Sequence, residues 1–551
     1  MSGSSIRRFI PFVMFFFMFF YIIYGLVKVQ VIDQPKHRAL LNSLLERSVY
    51  SKGLRGAIYS SDGVKIAWSE RIPTLVLKKY TAEDEKKLRK YIDDSQLAIL
   101  KNNGSVEVSW EQAFVLQSMG YEIIPTERRK SYGFLYHIVG SVNKDGEGIS
   151  GLEYVYNNVL KGKLSVSYGI RSPGGKYQQS IIESFGENGL DLQTTINFKL
   201  QKYAYDLLSE LATPSVIIVS NVQTGDILAM ASYPAPEVDL NGVDVLTWEK
   251  LVNDPLKPLL NRAISNVYPP GSTFKVVTAI AQMLYSHPNT ITCNGVFRYR
   301  DSKGRVTATY KDWLITGHGV VDLRKAIRVS CNVYFYNAAL DVGIDKLITV
   351  AKAFYLDQKT GINLPGEVAG TLPTPEWKLK KLGEKWYPGD TILFGIGQGF
   401  LDLTPIQVLS LYNTVANKGL FVRPKLVLNE EVSTKKIPLN VPENVWNTLI
   451  DGLEQVTTVQ GPASSGGTAA KSFQGFEITV AGKTGTAQTH SGPPHAWFVG
   501  FAPSRSPKYS VLVLVENGES GGHNAAPLAR KVFDFMLQNG FFDESSEENK
   551  K

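Results

Sequence analysis

Close to the N-terminus, residues 9–27 form a strongly apolar stretch without charged residues. As a helix rising about 1.5 Å per residue, it would span roughly 28 Å, close to the hydrocarbon thickness of a bilayer. Arg7 and Arg8 precede it, so the positive-inside rule predicts a cytoplasmic N-terminus. Lys28 and Asp33 follow it where a cleaved signal peptide would need a small-x-small site. We therefore predict a cytoplasmic tail (1–8), an uncleaved transmembrane anchor (9–31) and an extracytoplasmic remainder, with the chain held in the cytoplasmic membrane by this single pass.

Composition places the chain as a whole among globular proteins. Its 551 residues are 43% hydrophobic and 20% charged, which predicts about three folded units. Two cysteines are too few for a disulfide-stapled fold. The net charge is +8, but basic residues are scattered and often stand beside acids. We interpret them as a solvated surface and predict no nucleic-acid partner.

Turn signals and hydrophobic periodicity divide the extracytoplasmic part in two. Residues 32–190 show short alternating runs with turns such as Asp62-Gly63, which predict a β-rich pedestal. Beyond residue 190, strand-like runs at 215–231 and 477–516 flank a long helical stretch. This arrangement predicts an α+β domain over residues 191–540, with a sheet assembled from distant segments. The charged residues 541–551 are predicted to be a disordered tail.

Three short motifs follow one another in the second domain. They read Ser272-Thr273-Phe274-Lys275, Ser330-Cys331-Asn332 and Lys483-Thr484-Gly485-Thr486. Each is weak alone, because Ser-x-x-Lys recurs at residues 433–436, Ser-x-Asn at 141–143 and Lys-Thr-Gly at 359–361. Context favours the first set over these repeats.

The first motif has the layout of an activated serine. Ser272 follows a Pro-Pro-Gly break and opens a helical stretch, where free N–H groups and the helix dipole favour developing negative charge. Lys275 lies three residues later, on the same helical face. A serine hydroxyl needs a base, and a lysine can serve when burial or a nearby cation lowers its pKa. We predict that Ser272 is a nucleophile and Lys275 its base.

The other two motifs offer groups that hold a substrate. Ser330 and Asn332 lie between two helical runs, where they can pass protons and bond an amide; the alternative is a polar helix junction. Lys483 ends a strand-like run, and the following glycine, Gly485, allows a close approach of backbone. Lys483, Thr484 and Thr486 offer a cation and hydroxyls to a terminal carboxylate.

Longer segments carry a family resemblance. The chain resembles class B penicillin-binding proteins over the nucleophile segment, the second-motif region, the Gly-Ile-Gly-Gln-Gly segment and the third-motif strands, at residues 261–275, 312–336, 395–407 and 481–503. Residues 253–263, 495–503 and 525–531 are similar to penicillin-binding protein 2, the cell-elongation type. The division type is the close alternative within the family.

The resemblance implies a fold and a reaction. The expected fold is an antiparallel sheet packed with helices and joined to a helical subdomain, behind a pedestal and a membrane anchor. The expected reaction is attack by Ser272 on stem peptides ending in D-Ala-D-Ala, followed by cross-linking to a neighbouring amine; β-lactams would acylate the same serine. N–H groups of Ser272 and Thr486 would stabilise the oxyanion, and Ser330 would relay protons. A membrane glycan polymerase would be a partner, and no cofactor is expected.

Two other functions fit parts of the pattern. A β-lactamase would hydrolyse the acyl-enzyme, and a β-lactam sensor or scaffold would use the fold without catalysis. Some relatives carry a metal near the second motif, and Cys293, Asp301, Asp312 and His318 could supply ligands in this chain. Their spacing is loose, so we interpret them as ordinary loop residues and predict no metal.

Overall fold

The computed structural model describes residues 4–36, 45–77, 79–171, 177–184, 186–241, 243, 245–489 and 492–543. The chain forms two compact units: residues 1–56 with 161–190, and residues 57–160 with 191–551. The predicted pedestal of residues 32–190 is thus divided between the two units. A further turn, predicted by the Ser-Pro-Gly-Gly sequence of residues 172–175, lies outside the described residues.

The strands of the described residues are, in chain order, β1 (Leu45–Lys52), β2 (Ile58–Tyr59), β3 (Lys65–Val76), β4 (Ser105–Glu107), β5 (Glu122–Ser131), β6 (Leu164–Arg171), β7 (Tyr177–Ser184), β8 (Leu192–Gln193), β9 (Ser215–Asn221), β10 (Ile227–Tyr233), β11 (Ile291–Cys293), β12 (Val296–Arg300), β13 (Val306–Lys311), β14 (Gly319–Val321), β15 (Leu420–Val422), β16 (Thr434–Lys436), β17 (Ala481–Ala487), β18 (His495–Ala502) and β19 (Tyr509–Val515).

The α-helices of the same residues are α1 (Ser4–Val27), α2 (Ala82–Leu88), α3 (Asp94–Asn103), α4 (Trp110–Ser118), α5 (Tyr136–Val139), α6 (Gly151–Val155), α7 (Asn157–Leu160), α8 (Phe198–Leu211), α9 (Val245–Asn253), α10 (Lys275–Tyr285), α11 (Leu323–Arg328), α12 (Asn332–Val342), α13 (Ile344–Ala353), α14 (Pro375–Leu382), α15 (Pro388–Phe394), α16 (Pro405–Ala416), α17 (Glu443–Thr458), α18 (Ala470–Phe473) and α19 (Ala526–Gln538). Short 3-10 turns (Gly133–Leu135 and Gly271–Phe274) and π turns (Lys28–Ile32 and Gly521–Ala525) supplement them.

The first unit contains the apolar helix. α1 continues into the π turn Lys28–Ile32, and residues 11–32 have a mean hydropathy of 2.2. Within the described part of the chain, this is the one helix long and apolar enough to cross a membrane. It coincides with the predicted anchor. The unit also holds a three-stranded antiparallel sheet in the order β1-β6-β7.

Residues 57–160 begin the second unit with a sheet built around β3. This strand pairs antiparallel with β2, β4 and β5, while β2 pairs in parallel with β8. Helices α2, α3 and α4 cover a small core of their own that includes Leu75 and Leu100. Ile58, Ile66 and Leu135 instead join the core of the following domain. This shared core explains why residues 57–160 do not separate from the rest of the unit.

A five-stranded antiparallel sheet organises the remainder, in the order β10-β9-β19-β18-β17. Its strands come from both ends of the domain, as the sequence predicts. The chain between them is mostly helical but also contains the short strands β11–β16, which form three two-stranded sheets. Helix α16 packs against β9, β18 and β19 and is buried along its whole length. Helices α8 and α19 pack together, and Tyr203 stacks on Phe535 at 4.3 Å between ring centroids. The architecture is the predicted α+β class.

The folded part extends slightly further than predicted. The rings of Phe541 and Phe542 pack on Tyr509, with centroids at 6.0 and 5.5 Å. Assigning residues from 541 onward to a disordered tail is therefore wrong for these two aromatic residues, which are partly buried against Tyr509 of β19. The remaining part of the predicted tail, residues 544–551, lies outside the described residues.

Candidate active site

Ser272 lies on the 3-10 turn Gly271–Phe274, directly before α10. Hydrogen bonds from three directions fix this segment. The N–H of Gly271 donates to the carbonyl of Gly397 at 2.8 Å, and the Tyr412 hydroxyl donates to the carbonyl of Thr273 at 2.9 Å. The Trp497 indole donates to the carbonyl of Pro269 at 3.1 Å. Ser272 itself is half-buried, so its hydroxyl stands on a rigid support.

Two glycines let the nucleophile turn and strand β17 lie against each other. Gly271 has a φ of 53°, in the left-handed region that favours glycine. A Cβ at Gly485 would stand 2.9 Å from the Cβ of Trp497 and 3.0 Å from Cγ2 of Thr273. The prediction that Gly485 permits a close approach of backbone is consistent with this packing.

Lys275 is buried and directed at the second motif. Its Nζ donates to the carbonyl of Ser330 at 2.9 Å, to Oγ of Ser330 at 3.2 Å and to Oδ1 of Asn332 at 2.6 Å. Burial lowers the pKa of Lys275 to about 8, against the opposing effect of the nearby Asp312 carboxylate. The lysine therefore releases its proton close to neutral pH.

Ser330 occupies the turn between α11 and α12. Its φ of 55° is rare for a residue with a side chain, and strain of this kind persists only where the surroundings hold it. The turn places the carbonyl and the hydroxyl of Ser330 on the same ammonium group. Asn332 begins α12 and reaches that ammonium with its side-chain oxygen. The first two predicted motifs are thus brought together by direct contact.

The third motif lies on β17, at the edge of the central sheet. Lys483 is fully buried, and its Nζ donates to the carbonyl of Thr484 at 3.1 Å. Burial and the positive charge of Lys275 lower the pKa of Lys483 well below its ordinary value. The hydroxyl of Thr486 accepts a hydrogen bond from the N–H of Gly521 at 3.3 Å. Lys275 therefore lies close enough to Lys483 to disfavour its protonation.

One residue of this site has no place in the three motifs. The hydroxyls of Thr468 and Thr484 lie 2.6 Å apart, and the N–H of Thr468 donates to the carbonyl of Arg328 at 3.3 Å. Thr468 thereby connects the helix before the second motif to the third motif. Sequence reasoning missed it because a single threonine in a polar loop carries no signal by itself.

The repeated motifs have other surroundings. In the Lys-Thr-Gly at residues 359–361, Thr360 is capped by Glu367, which accepts from its N–H and its hydroxyl, both at 2.6 Å. The Ser-x-x-Lys at residues 433–436 ends in the exposed strand β16. In the Ser-x-Asn at residues 141–143, the N–H of Ser141 donates to the hydroxyl of Ser150, and the two serine hydroxyls are hydrogen-bonded to each other. None of the three copies is thus in the surroundings that the predicted motifs have, and the choice among them stays a prediction.

A second buried cluster stands beside the Ser330 turn. Its members are Cys293, Asp312, His318 and Cys331, whose potential ligand atoms all lie within 4.8 Å of one another. Oδ2 of Asp312 is 3.6 Å from Sγ of Cys293 and 3.3 Å from Sγ of Cys331. Bonds of about 2.0–2.3 Å in a tetrahedron separate ligands by roughly 3.3–3.8 Å, so sulfur, nitrogen and oxygen atoms at these spacings suit zinc.

The cluster differs from the ligand set considered from the sequence. Asp301 is not part of it, because its carboxylate accepts hydrogen bonds from the N–H groups of Lys303 and Arg305 in the turn between β12 and β13. Cys331, the middle residue of the second motif, takes that place. A zinc ion would cross-link the end of β11 to the start of α12, next to Ser330.

Metal analysis tests whether this cluster is filled. If it is, the purified chain should contain about one zinc per molecule, and Cys331→Ser should lose most of it, because a structural site needs all four ligands. Elemental analysis by mass spectrometry measures both. Asp301→Asn is the matched control and should keep its zinc. A chain free of zinc and other metals would instead support the prediction of no metal.

Comparison with known proteins agrees with the geometry. The penicillin binding protein transpeptidase domain model matches residues 215–534. The peptidoglycan D,D-transpeptidase MrdA of Haemophilus influenzae is 34% identical over 71% of this chain, and the match spans 63% of that relative's length. These names agree with the activity predicted from the sequence.

Solved structures extend the likeness to most of the chain. The complex between penicillin-binding protein PBP2 and MreC from Helicobacter pylori contains a chain that is 28% identical, with a TM-score of 0.78, covering 90% of this chain and 99% of that one. A second structure, described as structural coordination of polymerization and crosslinking by a peptidoglycan synthase complex, is 25% identical with a TM-score of 0.72, covering 96% of this chain and 97% of that one. The predicted family and fold class are confirmed: the chain belongs to the penicillin-binding protein transpeptidase family, as a class B member of the elongation-type PBP2 group.

Proposed function

We propose that the chain is a peptidoglycan D,D-transpeptidase that cross-links stem peptides through an acyl-enzyme on Ser272 during cell elongation. The observation that carries the proposal is the environment of Lys275: a buried ammonium with a pKa near 8, held by Ser330 and Asn332 one helical turn after Ser272. A lysine with this lowered pKa is neutral in a sizeable minority of molecules near neutral pH, and this neutral form is the base that a serine nucleophile requires.

The proposed reaction begins with attack of Oγ of Ser272 on the carbonyl between the two terminal D-alanines. Lys275 takes the hydroxyl proton, and the N–H groups of Ser272 and Thr486 stabilise the oxyanion. The C–N bond breaks as the departing D-alanine receives a proton through Ser330, which leaves an ester on Ser272. An amine of a second stem peptide attacks this ester and gives up a proton, which passes through Lys275 to the departing Oγ of Ser272 and restores the serine hydroxyl. The cross-link is then complete.

Binding roles follow from the same arrangement. The Asn332 side chain would form a hydrogen bond with the substrate amide beside Lys275. Lys483, Thr484 and Thr486 would hold the terminal carboxylate, and Gly485 would keep the strand free of side-chain bulk there. β-Lactams would enter as substrate mimics and acylate Ser272.

Membrane placement and partners are part of the proposal. The apolar helix α1 would anchor the chain in the cytoplasmic membrane, with Arg7 and Arg8 inside and the catalytic domain outside. Structures of relatives in complex with MreC and in a peptidoglycan synthase complex support assembly with elongation proteins, including a glycan polymerase.

Labelling with a fluorescent penicillin tests the function. The adduct should map by mass spectrometry to the peptide that contains Ser272 and should persist for many minutes, because deacylation by water is slow in a transpeptidase. An adduct that clears within seconds would indicate a β-lactamase. Stable labelling without cross-linking of peptide substrates, by the chain reconstituted with its polymerase, would indicate a sensor or scaffold.

Thr468 is predicted to orient the Thr484 hydroxyl, which in this proposal binds the terminal carboxylate of the substrate. If Thr468 donates its proton to Thr484, the Thr484 proton remains free for the substrate. Thr468→Val should slow acylation by a carboxylate-bearing penicillin roughly tenfold, about the effect of one hydrogen bond to a charged group. Acylation by the methyl ester of the same penicillin should change little, and Thr468→Ser should behave as the wild type. Equal losses for the acid and the ester would show that Thr468 acts only on the fold.

A further inference from the structure

A cavity lies between α11 and α17, beside the helix that leads into the second motif. Its volume is about 320 Å³. Three of its lining residues are basic and one is acidic; the lining consists of Thr290, Val320, Asp322, Arg324, Lys325, Arg328 and Gln455. A concave surface with this charge attracts anions.

The basic residues differ in how far they are already neutralised. Arg324 is paired with Asp451 at 3.2 Å. Lys325 instead donates to two backbone carbonyls, those of His318 and Val320, both at 2.8 Å. The carboxylate of Asp322 accepts the N–H of Lys325 as the cap of α11. Within the described residues, Lys325 therefore has no carboxylate partner.

Arg328 is the least satisfied of the three. Its Nη1 donates to Oε1 of Gln455 at 2.9 Å, while its Nε is buried and has no hydrogen-bond partner among the described residues. No carboxylate pairs with it there. A buried N–H that stays unbonded is costly, and a guanidinium presents its donors in a planar fork that fits a carboxylate or a phosphate.

We propose that this cavity is an oxyanion-binding site, with Arg328 and Lys325 as its main ligands and a carboxylate or phosphate group as its occupant. The anion accepts hydrogen bonds from the Arg328 guanidinium and balances the charges of Arg328 and Lys325. Arg328 stands two residues before Ser330, and its carbonyl accepts the N–H of Thr468. A bound anion therefore holds the last turn of α11 next to the catalytic turn.

The test measures anion binding directly, on the full chain in a phosphate-free sugar detergent. Inorganic phosphate is followed by 31P line broadening and 13C-labelled acetate by 13C line broadening, at constant ionic strength. The wild type should broaden at least one signal in a saturable way, and Arg328→Gln should lose most of this effect. Arg505→Gln is the matched control, because Arg505 lies outside this cavity and pairs with Asp451 and Glu454. It should broaden the signal as the wild type does.

The outcomes separate the two sources of anion and the proposal from its alternatives. Broadening of phosphate alone assigns a phosphate site, and broadening of acetate a carboxylate site. No saturable broadening in the wild type, or equal broadening in wild type and Arg328→Gln, overturns the proposal. If Arg328→Gln fails to fold, Lys325→Gln carries the same expectation. Penicillin labelling of each variant shows that Ser272 remains competent, so the result does not depend on the proposed reaction.

Discussion

Replacement of Ser272 by alanine should abolish covalent labelling by fluorescent penicillin. The acyl bond forms to the serine oxygen, and alanine leaves no atom that could take its place. The substitution should not disturb the fold, because the hydrogen bonds that fix this turn use backbone groups of Gly271, Thr273 and Pro269. Labelling measured by in-gel fluorescence should therefore fall to background, while the circular dichroism spectrum remains that of the wild type.

Ser433→Ala provides the matched control. Ser433 begins the second Ser-x-x-Lys of the chain, on an exposed segment that leads into β16. The variant should label at the wild-type rate. Labelling that survives in Ser272→Ala, or disappears in Ser433→Ala, would contradict the assignment of the nucleophile.

The sequence was informative wherever a function depends on neighbours along the chain. The turn before Ser272 and the helix after it follow from Pro-Pro-Gly and from apolar periodicity, and both occur. The segments that flank the three motifs also favour them over the copies at residues 359–361 and 433–436. Strand content at both ends of the second domain likewise predicts a sheet made of distant segments.

Contacts between distant residues could not be read in this way. Thr468 joins the site through one hydroxyl that meets Thr484 in space, and Cys331 joins the cysteine–aspartate–histidine cluster because the turn at Ser330 directs it inward. The division of the predicted pedestal between the two compact units depends on distant contacts in the same way. The sequence shows that Ile58 and Leu135 are apolar. It does not show whether they join the small core under α2–α4 or the core of the following domain, because that depends on the pairing of β2 with β8. Linear patterns do not contain that information.

Replacement of Lys275 by methionine should slow acylation by about 10²–10⁴-fold, the usual contribution of a general base. Methionine has a similar length and fills the same buried space without a titratable group. The second-order rate constant for penicillin acylation measures the loss. Lys436→Met is the control, because Lys436 ends the exposed copy of the first motif at residues 433–436. It should leave the rate constant unchanged.

The pH dependence of the wild type tests the same role without a mutation. Burial lowers the pKa of Lys275 to about 8, so the neutral, proton-accepting form becomes about tenfold scarcer with each pH unit below that value. The acylation rate constant should rise about tenfold per unit toward pH 8 and level off above it. In Lys275→Met the small residual rate should lose this rise. A rise that persists in the variant would mean that another group is the base.

Stability gives an independent measure of the same proton. The folded state binds the Lys275 proton less tightly than the unfolded chain, whose lysines have a pKa near 10.5. The unfolded state therefore holds more protons between about pH 8 and 10.5, and linkage requires that this lysine destabilise the fold below pH 8 and do so progressively less as the pH rises through that window. The melting temperature of the wild type should thus rise relative to that of Lys275→Met as the pH increases from 8 to 10. If the difference between the two proteins stays constant with pH, Lys275 is not the buried lysine with a lowered pKa, and its assignment as the base loses its physical ground.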